Sequence, residues 1–463
     1  MQHGVVVQPF MGEAALPTGA GDQPTPFGVL FERELEQPAD FLLGMLGRSG
    51  GQMAETSADE NGVIPAGFTF LGQFIDHDIT LMESPPSLGQ PQDLNTVRNL
   101  RTPKLDLDSV FGKGPHDPDA QRFYEPGTLR LSLATGGRDI IRTDGGSRSK
   151  RIAEPRNDEN HIIVQLHVLF MRMYNRLLEE QGGAASYEAA RRATVLHYQH
   201  MVLTDYLPRI VGQDAVDAAL ARQASRYADM VRNFPIKLIM PLEFAFAAFR
   251  FGHTQLRDGY LLRDGSGRPL FADGNGADLN GSQAVTPQSE VDWDLFFEVS
   301  ELNGGPPRAG RNLSRRFDTR LATSLHRLRP PAIGDLPVSL AERNLRRGRA
   351  FSLPSGQKVA RALGMSQLSA ADLAIDGAVI RAQAELGGGS QAVDIRTHTP
   401  LWYYMLKESE LAGGERLRGV GAWIVAETFV GLLKHDADSI LNLPEAFVPD
   451  PRFATMAAIA ANA

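Results

Sequence analysis

Apolar residues recur at helical spacing from Gly67 onward, and the pattern predicts helices over residues 67–80, 159–182, 187–213, 242–255, 288–302, 313–328, 357–364 and 417–434. Strict alternation is scarce, so little strand is expected. Residues 1–65 carry Gly, Pro and small polar residues with no sustained period, which predicts an extended arm and loops laid over the body, with little regular structure. The segments 112–137, 264–281 and 329–337 are rich in Gly and Pro and demand long ordered loops between helices. No internal repeat or low-complexity linker divides the chain. The simplest organisation is an arm over residues 1–65 and one large, mainly α domain over residues 66–463, with very little strand.

Composition narrows the chemistry. The 463 residues include no cysteine, which excludes thiolate nucleophiles, thiolate metal ligands, iron–sulfur ligation and disulfides. Any metal must be held by His, Asp, Glu or carbonyl oxygen. With 47 Lys plus Arg against 55 Asp plus Glu, the net charge is −8, and basic residues are mostly scattered; no nucleic-acid partner is expected. The most apolar windows, 238–249 and 419–433, are too short and too interrupted to span a bilayer. The opening MQHGVVVQPFMGEAALPTG shows no signal peptide, so a cytoplasmic protein, or export by another route, is expected.

Candidate chemistry sits in four places. In FLGQFIDHDIT (Phe70–Thr80), Gln73, Asp76 and His77 lie at i, i+3 and i+4 and share one helix face, while Asp78 lies about 100° further round and serves a second polar site. So many polar groups among apolar ones cost desolvation unless each is satisfied. On its own the motif fits a partly exposed helix with a buried, carbonyl-bonded His equally well. In EPRNDENHIIVQLHVLFMRMYNRLL (Glu154–Leu178), Arg156 and Glu159 could face one pocket at the start of a long helix, but Asp158 and Glu159 also suit a helix N-terminus. His253 is the sole imidazole in EFAFAAFRFGHTQL, and Asn344 in ERNLRRGRAFSLPS offers it an acceptor; the plain alternatives are a packed core His and a surface amide beside a basic run. His197 and His200 lack a carboxylate other than Asp205 nearby and are expected to pack or face solvent. His161 and His167 lie on different faces of one helix, and His167 is expected in the core.

These segments, in this order, resemble the animal haem peroxidases of the peroxidase–cyclooxygenase superfamily, with bacterial members the best match. The resemblance runs from about Gly67 to about Leu441 and takes in TPLWYYMLKESEL (Thr399–Leu411). It implies a helical haem peroxidase domain. It places His77 as the distal histidine, Gln73 as the distal glutamine, Arg156 as the catalytic arginine, His253 as the iron ligand and Asn344 as its hydrogen-bond partner. Asp76 and Glu159 match carboxyls that form ester bonds to haem b. A methionine link would need Met after the glutamate; Asn160 stands there, so two esters at most are expected.

The resemblance also implies a Ca²⁺ site from Asp78 with Thr102, Lys104 (through its carbonyl), Asp106 and Asp108 of the loop RTPKLDLDSVFG (Arg101–Gly112). Hard oxygen ligands at alternating positions with a remote carboxylate suit calcium. Asp108 stands where some members have Ser. The loop DGNGADLNG (Asp273–Gly281) looks calcium-like but has Ala277 and Ala284 where an EF-hand needs ligands, and is expected to be a plain turn-rich loop.

The implied function is reduction of hydrogen peroxide through an oxidised haem, with oxidation of phenols and of bromide, iodide or thiocyanate. Two rivals stand beside it. A fatty-acid dioxygenase of the same superfamily needs a Tyr close before the proximal His, and Arg250 occupies that place while Ala247, Ala248, Phe249 and Phe251 supply no phenol. A non-catalytic haem sensor needs only the proximal half, so Gln73, His77 and Arg156 argue against it.

Overall fold

A computed structural model describes residues 24–55, 61–82, 88, 90–142, 151–181, 187–272, 277–328, 337–386 and 393–463. The N-terminal segment on which the signal-peptide reading rests, residues 329–336 and residues 273–276 of the DGNGADLNG loop lie outside them.

Helix dominates, as the periodicity predicts. The helix Gly67–Ile79 is buried on every side, with only Asp76 partly exposed. It has no side-chain cap, so packing rather than capping holds it. Phe74 stacks on Phe170 at 5.0 Å, and Phe70 meets Tyr260 edge-on at 5.0 Å; each such buried ring contributes about 1.5–3 kcal/mol by leaving water. Two glycines let neighbours come close. A Cβ at Gly72 would sit 2.5 Å from the hydroxyl of Tyr206, and one at Gly67 would collide with the carbonyl of Phe296. The next long helix, His161–Glu180, begins two residues later than predicted because Asn160 caps it, its Oδ1 accepting from the amides of Ile162 and Ile163.

Several expectations are corrected. Residues 24–55 and 61–65 carry more regular structure than expected: Thr25–Gly28 lies between Arg98–Asn99 and Met240–Pro241, Asp40–Gly47 is a helix, and Asn61–Pro65 pairs antiparallel with Leu313–Arg315. That last pairing is one reason residues 313–328 are not a helix; strand and short 3₁₀ turn replace it. Residues 288–302 are not a helix either. Asp292 and Asp294 accept from the amides of Asp294 and Ser300, diverting backbone donors from a helical ladder. The helix expected over 187–213 ends at Met201, passes through a π-helical turn at Val202–Tyr206 and resumes as Leu207–Val211, because Pro208 cannot donate to the carbonyl four residues back. The segment 242–255 is three short pieces, Leu242–Phe246, Ala248–Phe251 and Gly252–Gln255, with Arg250 Nε donating to the carbonyl of Ala245 at the break. No helix among the described residues is long and apolar enough to cross a membrane.

Candidate active site

The Gly67–Ile79 helix and the broken segment 245–256 face each other across one cavity. Thr69, Gly72, Gln73 and Asp76 line one side, Phe249, Arg250 and His253 the other, and Tyr206 reaches in from the π-turn. Residues far apart in sequence thus converge on one cavity. His77 and Arg156 are not part of the cavity lining; they are tied to each other by Arg156 Nη2 donating to the His77 carbonyl at 2.9 Å. Glu159 follows the 3₁₀ turn Pro155–Asp158, outside the His161–Glu180 helix, and is not part of the cavity lining.

His77 is 1 % exposed, and its pKa is lowered to about 3, first by burial and then by the Arg156 charge, so the ring is neutral. Its Nδ1 lies 2.8 Å from Asn157 Oδ1, which fixes the proton on Nδ1 and makes Nε2 the basic nitrogen. Asn157 Nδ2 in turn donates to His167 Nδ1 at 3.1 Å. His167 is a buried core residue, as expected, and it also anchors the amide that orients His77. Asp76 accepts from Thr80 Oγ1 at 2.7 Å, and burial raises its pKa.

Glu154 is the hidden member of this group. Its carboxylate receives Arg156 Nε at 3.0 Å and Arg156 Nη2 at 2.9 Å, together with Arg101 Nη2 at 2.5 Å. Burial alone would raise its pKa, but the two guanidiniums hold it well below the usual carboxylate range. Arg156 Nη1 is buried with no hydrogen-bond partner among the described residues. A charged donor in that condition costs free energy unless a bound group accepts from it.

On the other side, the Asn344 amide lies 2.7 Å from His253 Nδ1, the contact the sequence predicts, with a different polarity. Arg250 Nη1 donates to Asn344 Oδ1 at 3.1 Å, so the amide NH₂ is turned to the imidazole. An imidazole that ligated a metal through Nε2 would carry its proton on Nδ1 and would need that amide turned over. Arg250, Arg343 and Arg347 crowd here, all nearly buried. Burial and the charges of Arg250 and Arg343 push the Arg347 pKa well down, and no carboxylate among the described residues offsets them there. Arg347 Nε has no partner among the described residues.

Behind the Gly67–Ile79 helix, the carboxylates of Asp78, Asp106 and Asp108 come within 4.8 Å of one another. Asp78 accepts from Ser109 Oγ at 2.6 Å, and burial and then the Asp106 charge push its pKa up to about 7. The carbonyl of Thr102 accepts from the amide of Lys104, whose ammonium pairs with Asp436 at 2.9 Å. His197 is packed between Phe447 and Phe453, with Nδ1 on the Ala193 carbonyl; it is no metal ligand with His200.

Comparison with known proteins shows the family. Residues 86–386, well over half of the chain, match the family model for animal haem peroxidases. The chain belongs to the animal haem peroxidase family. Heme peroxidase 2 of Caenorhabditis elegans is 21 % identical over 265 residues, 54 % of this chain and 36 % of that protein. Eosinophil peroxidase of Mus musculus is 25 % identical over 311 residues, 60 % of this chain and 41 % of that protein. The chain therefore spans well under half the length of these curated relatives. Peroxidase A from Dictyostelium discoideum shares the fold with a TM-score of 0.56 at 16 % identity, covering 91 % of this chain and 90 % of that one. The fatty acid alpha-dioxygenase of Oryza sativa, solved as a point variant with palmitic acid, gives 0.60 at 16 % identity over 95 % of this chain and 79 % of that one.

The family match begins downstream of Gln73, Asp76, His77 and Asp78, and includes Arg156, Glu159, His253, Asn344 and the 102–108 loop. In this member of the animal haem peroxidase family, sequence reasoning missed Glu154, Asn157, Arg101, Arg347 and Tyr206. Glu154 and Arg101 open the two quoted motifs without a role. Arg347 had a signal, three residues after Asn344 and so on its helix face. Asn157 and Tyr206 had none, since only the tertiary fold aims them.

Proposed function

We propose that this chain is a haem-dependent peroxidase that reduces hydrogen peroxide and oxidises small donors: phenols, and bromide, iodide or thiocyanate. One observation carries the reading: Gln73 and Asp76 bound the same cavity as Arg250 and His253. The residues present fit a haem. A neutral imidazole stands at one wall, and the buried Arg347, with no carboxylate acting on it among the described residues, suits a cofactor that brings carboxylates. His253 would hold the iron with Asn344 behind it, and Asp76, a carboxylate in the cavity wall, is the better placed of the two ester candidates; Glu159 is the other. Bound there, haem b would supply the redox chemistry.

The chain's own groups do the rest. His77 Nε2 takes a proton from peroxide and returns it to the departing oxygen, since Asn157 holds the other nitrogen protonated. Arg156 Nη1, the donor without a protein partner among the described residues, stabilises negative charge on that oxygen, and Glu154 keeps its guanidinium fixed. Gln73 orients peroxide, water or halide. The amide on His253 gives the imidazole less anionic character than a carboxylate would, which favours difficult donors. Asp78, Asp106 and Asp108 would hold Ca²⁺, with Thr102 and Lys104 completing the site through oxygen. Residues 66–463 would form the catalytic domain, with residues 1–65 an arm packed on it.

A second reading has one observation in its favour. The cavity contains a phenol after all: Tyr206 reaches it from another helix, where the residues before His253 offer none. Oxygen uptake with an unsaturated fatty acid would favour the dioxygenase; peroxide-dependent oxidation of phenols and iodide without it favours the peroxidase. A peroxide assay in which holoprotein oxidises phenols but none of the three anions removes the halide part.

A further inference from the structure

From the Asp78–Asp106–Asp108 cluster to Arg156 runs an unbroken line of buried charges. Asp108 Oδ1 pairs with Arg101 Nη1 at 3.0 Å. Arg101 donates Nε at 3.2 Å and Nη2 at 2.5 Å to Glu154 Oε2. The same Oε2 accepts from Arg156 Nη2 at 2.9 Å, and Arg156 Nη2 also donates to the carbonyl of His77, the residue before Asp78. Arg101, Asp108, Glu154 and Arg156 are each no more than 5 % exposed. Solvent therefore screens little of these contacts, and the strength of each depends on how its shared oxygens are divided among the guanidiniums.

We infer that Arg101 is a positioning residue that couples cation binding at the aspartate cluster to anion binding at Arg156. The inference rests on the haem and calcium readings above. Its sign follows from competition for shared oxygens. A cation drawn to Asp108 weakens that carboxylate's hold on Arg101. Arg101 then leans on Glu154 Oε2, the oxygen it shares with Arg156 Nη2. Arg156 is left less neutralised, and its unpartnered Nη1 becomes the better site for negative charge. Calcium therefore tightens anion binding, and by reciprocity the anion tightens calcium. A planar guanidinium with five donors can bridge two carboxylates in this way; an ammonium on a flexible stem cannot hold both in one geometry.

The test is a thermodynamic cycle on haem-loaded ferric protein, with cyanide as the anion, its affinity read from the Soret shift, and calcium affinity read by calorimetry with and without cyanide. In the wild type, calcium should tighten cyanide by at least about fivefold, the lower end of measured coupling between sites. In Arg101→Gln the ratio should fall below about twofold, with the haem spectrum retained. Arg101→Lys should keep a part. A field acting through space would leave the ratio unchanged in both variants and overturn the inference, as would a wild type with no coupling. If Arg101→Gln does not fold, full coupling in Arg101→Lys has the same force against it. A chain with no Soret band, or with no calorimetric calcium binding, takes the haem or calcium reading down together with this one; haem and calcium bound without coupling removes this inference alone.

Discussion

Arg347 offers a test in which a cofactor role and a structural role predict opposite signs. The side chain is 5 % exposed, its Nε has no partner among the described residues, and the charges acting on it are those of Arg250 and Arg343, both of its own sign. Burying an ion costs several kcal/mol even after relaxation, and replacing buried ions with apolar groups of similar volume has been neutral or stabilising by about 1–4 kcal/mol. Arg347→Met should therefore leave haem-free protein as stable as wild type or raise its Tm, measured by circular dichroism. In the loaded protein the guanidinium would gain a carboxylate of the cofactor. A charge-assisted bond of that kind contributes about 1.5–3 kcal/mol, so the variant should bind haem roughly 10- to 150-fold more weakly in a Soret titration. A variant that destabilises the haem-free chain by the ~2–5 kcal/mol of a core truncation, and binds haem as the wild type does, would refute the reasoning.

Further predictions follow from the same geometry. His77→Ala should slow peroxide-driven oxidation of the haem by about a hundredfold or more, the usual size of a positioned acid–base contribution, in stopped-flow absorbance; an unchanged rate would favour the sensor. Chelation of calcium should lower the Tm, because Asp78, Asp106 and Asp108 are then left to repel one another; an identical melting curve would count against the cation site. Asp76→Asn combined with Glu159→Gln should make all the haem extractable by acid acetone after exposure to peroxide, whereas haem that stays on the double variant would exclude both esters. Burial pushes the Glu408 pKa up to about 8 from 4.5. A folded value above the unfolded one means its contribution is fully present below about pH 4.5 and is lost as pH rises through 8, so Tm should fall across that window and Glu408→Gln should flatten the fall.

The parts of the site that were legible in the sequence are those carried by one helix. Gln73, Asp76 and His77 on one face and Asp78 on the next follow from 100° per residue, and the structure sends Gln73 and Asp76 to the cavity and Asp78 to the aspartate cluster, with His77 outside the cavity lining. What escaped was long-range. Residues 313–315 have helical-looking spacing, but Asn61–Pro65 arrives as a strand partner and claims their backbone. Trp293 to Val299 are apolar enough for a helix, yet Asp292 and Asp294 bond the backbone locally. Asp158 suits a helix start, but Asn160 caps the helix while Asp158 pairs with Arg142 at 2.8 Å. The basic run 343–349 reads as a solvated face because its purpose is visible only beside His253.

The central claim is that His253 and the cavity before it hold a haem. Its most direct test is the ultraviolet–visible spectrum of the protein purified from haem-replete cells, alongside His253→Ala. The account predicts a Soret band in the wild type that is lost or strongly weakened in the variant. A colourless wild-type protein, or a variant with the same haem content and spectrum, would contradict it.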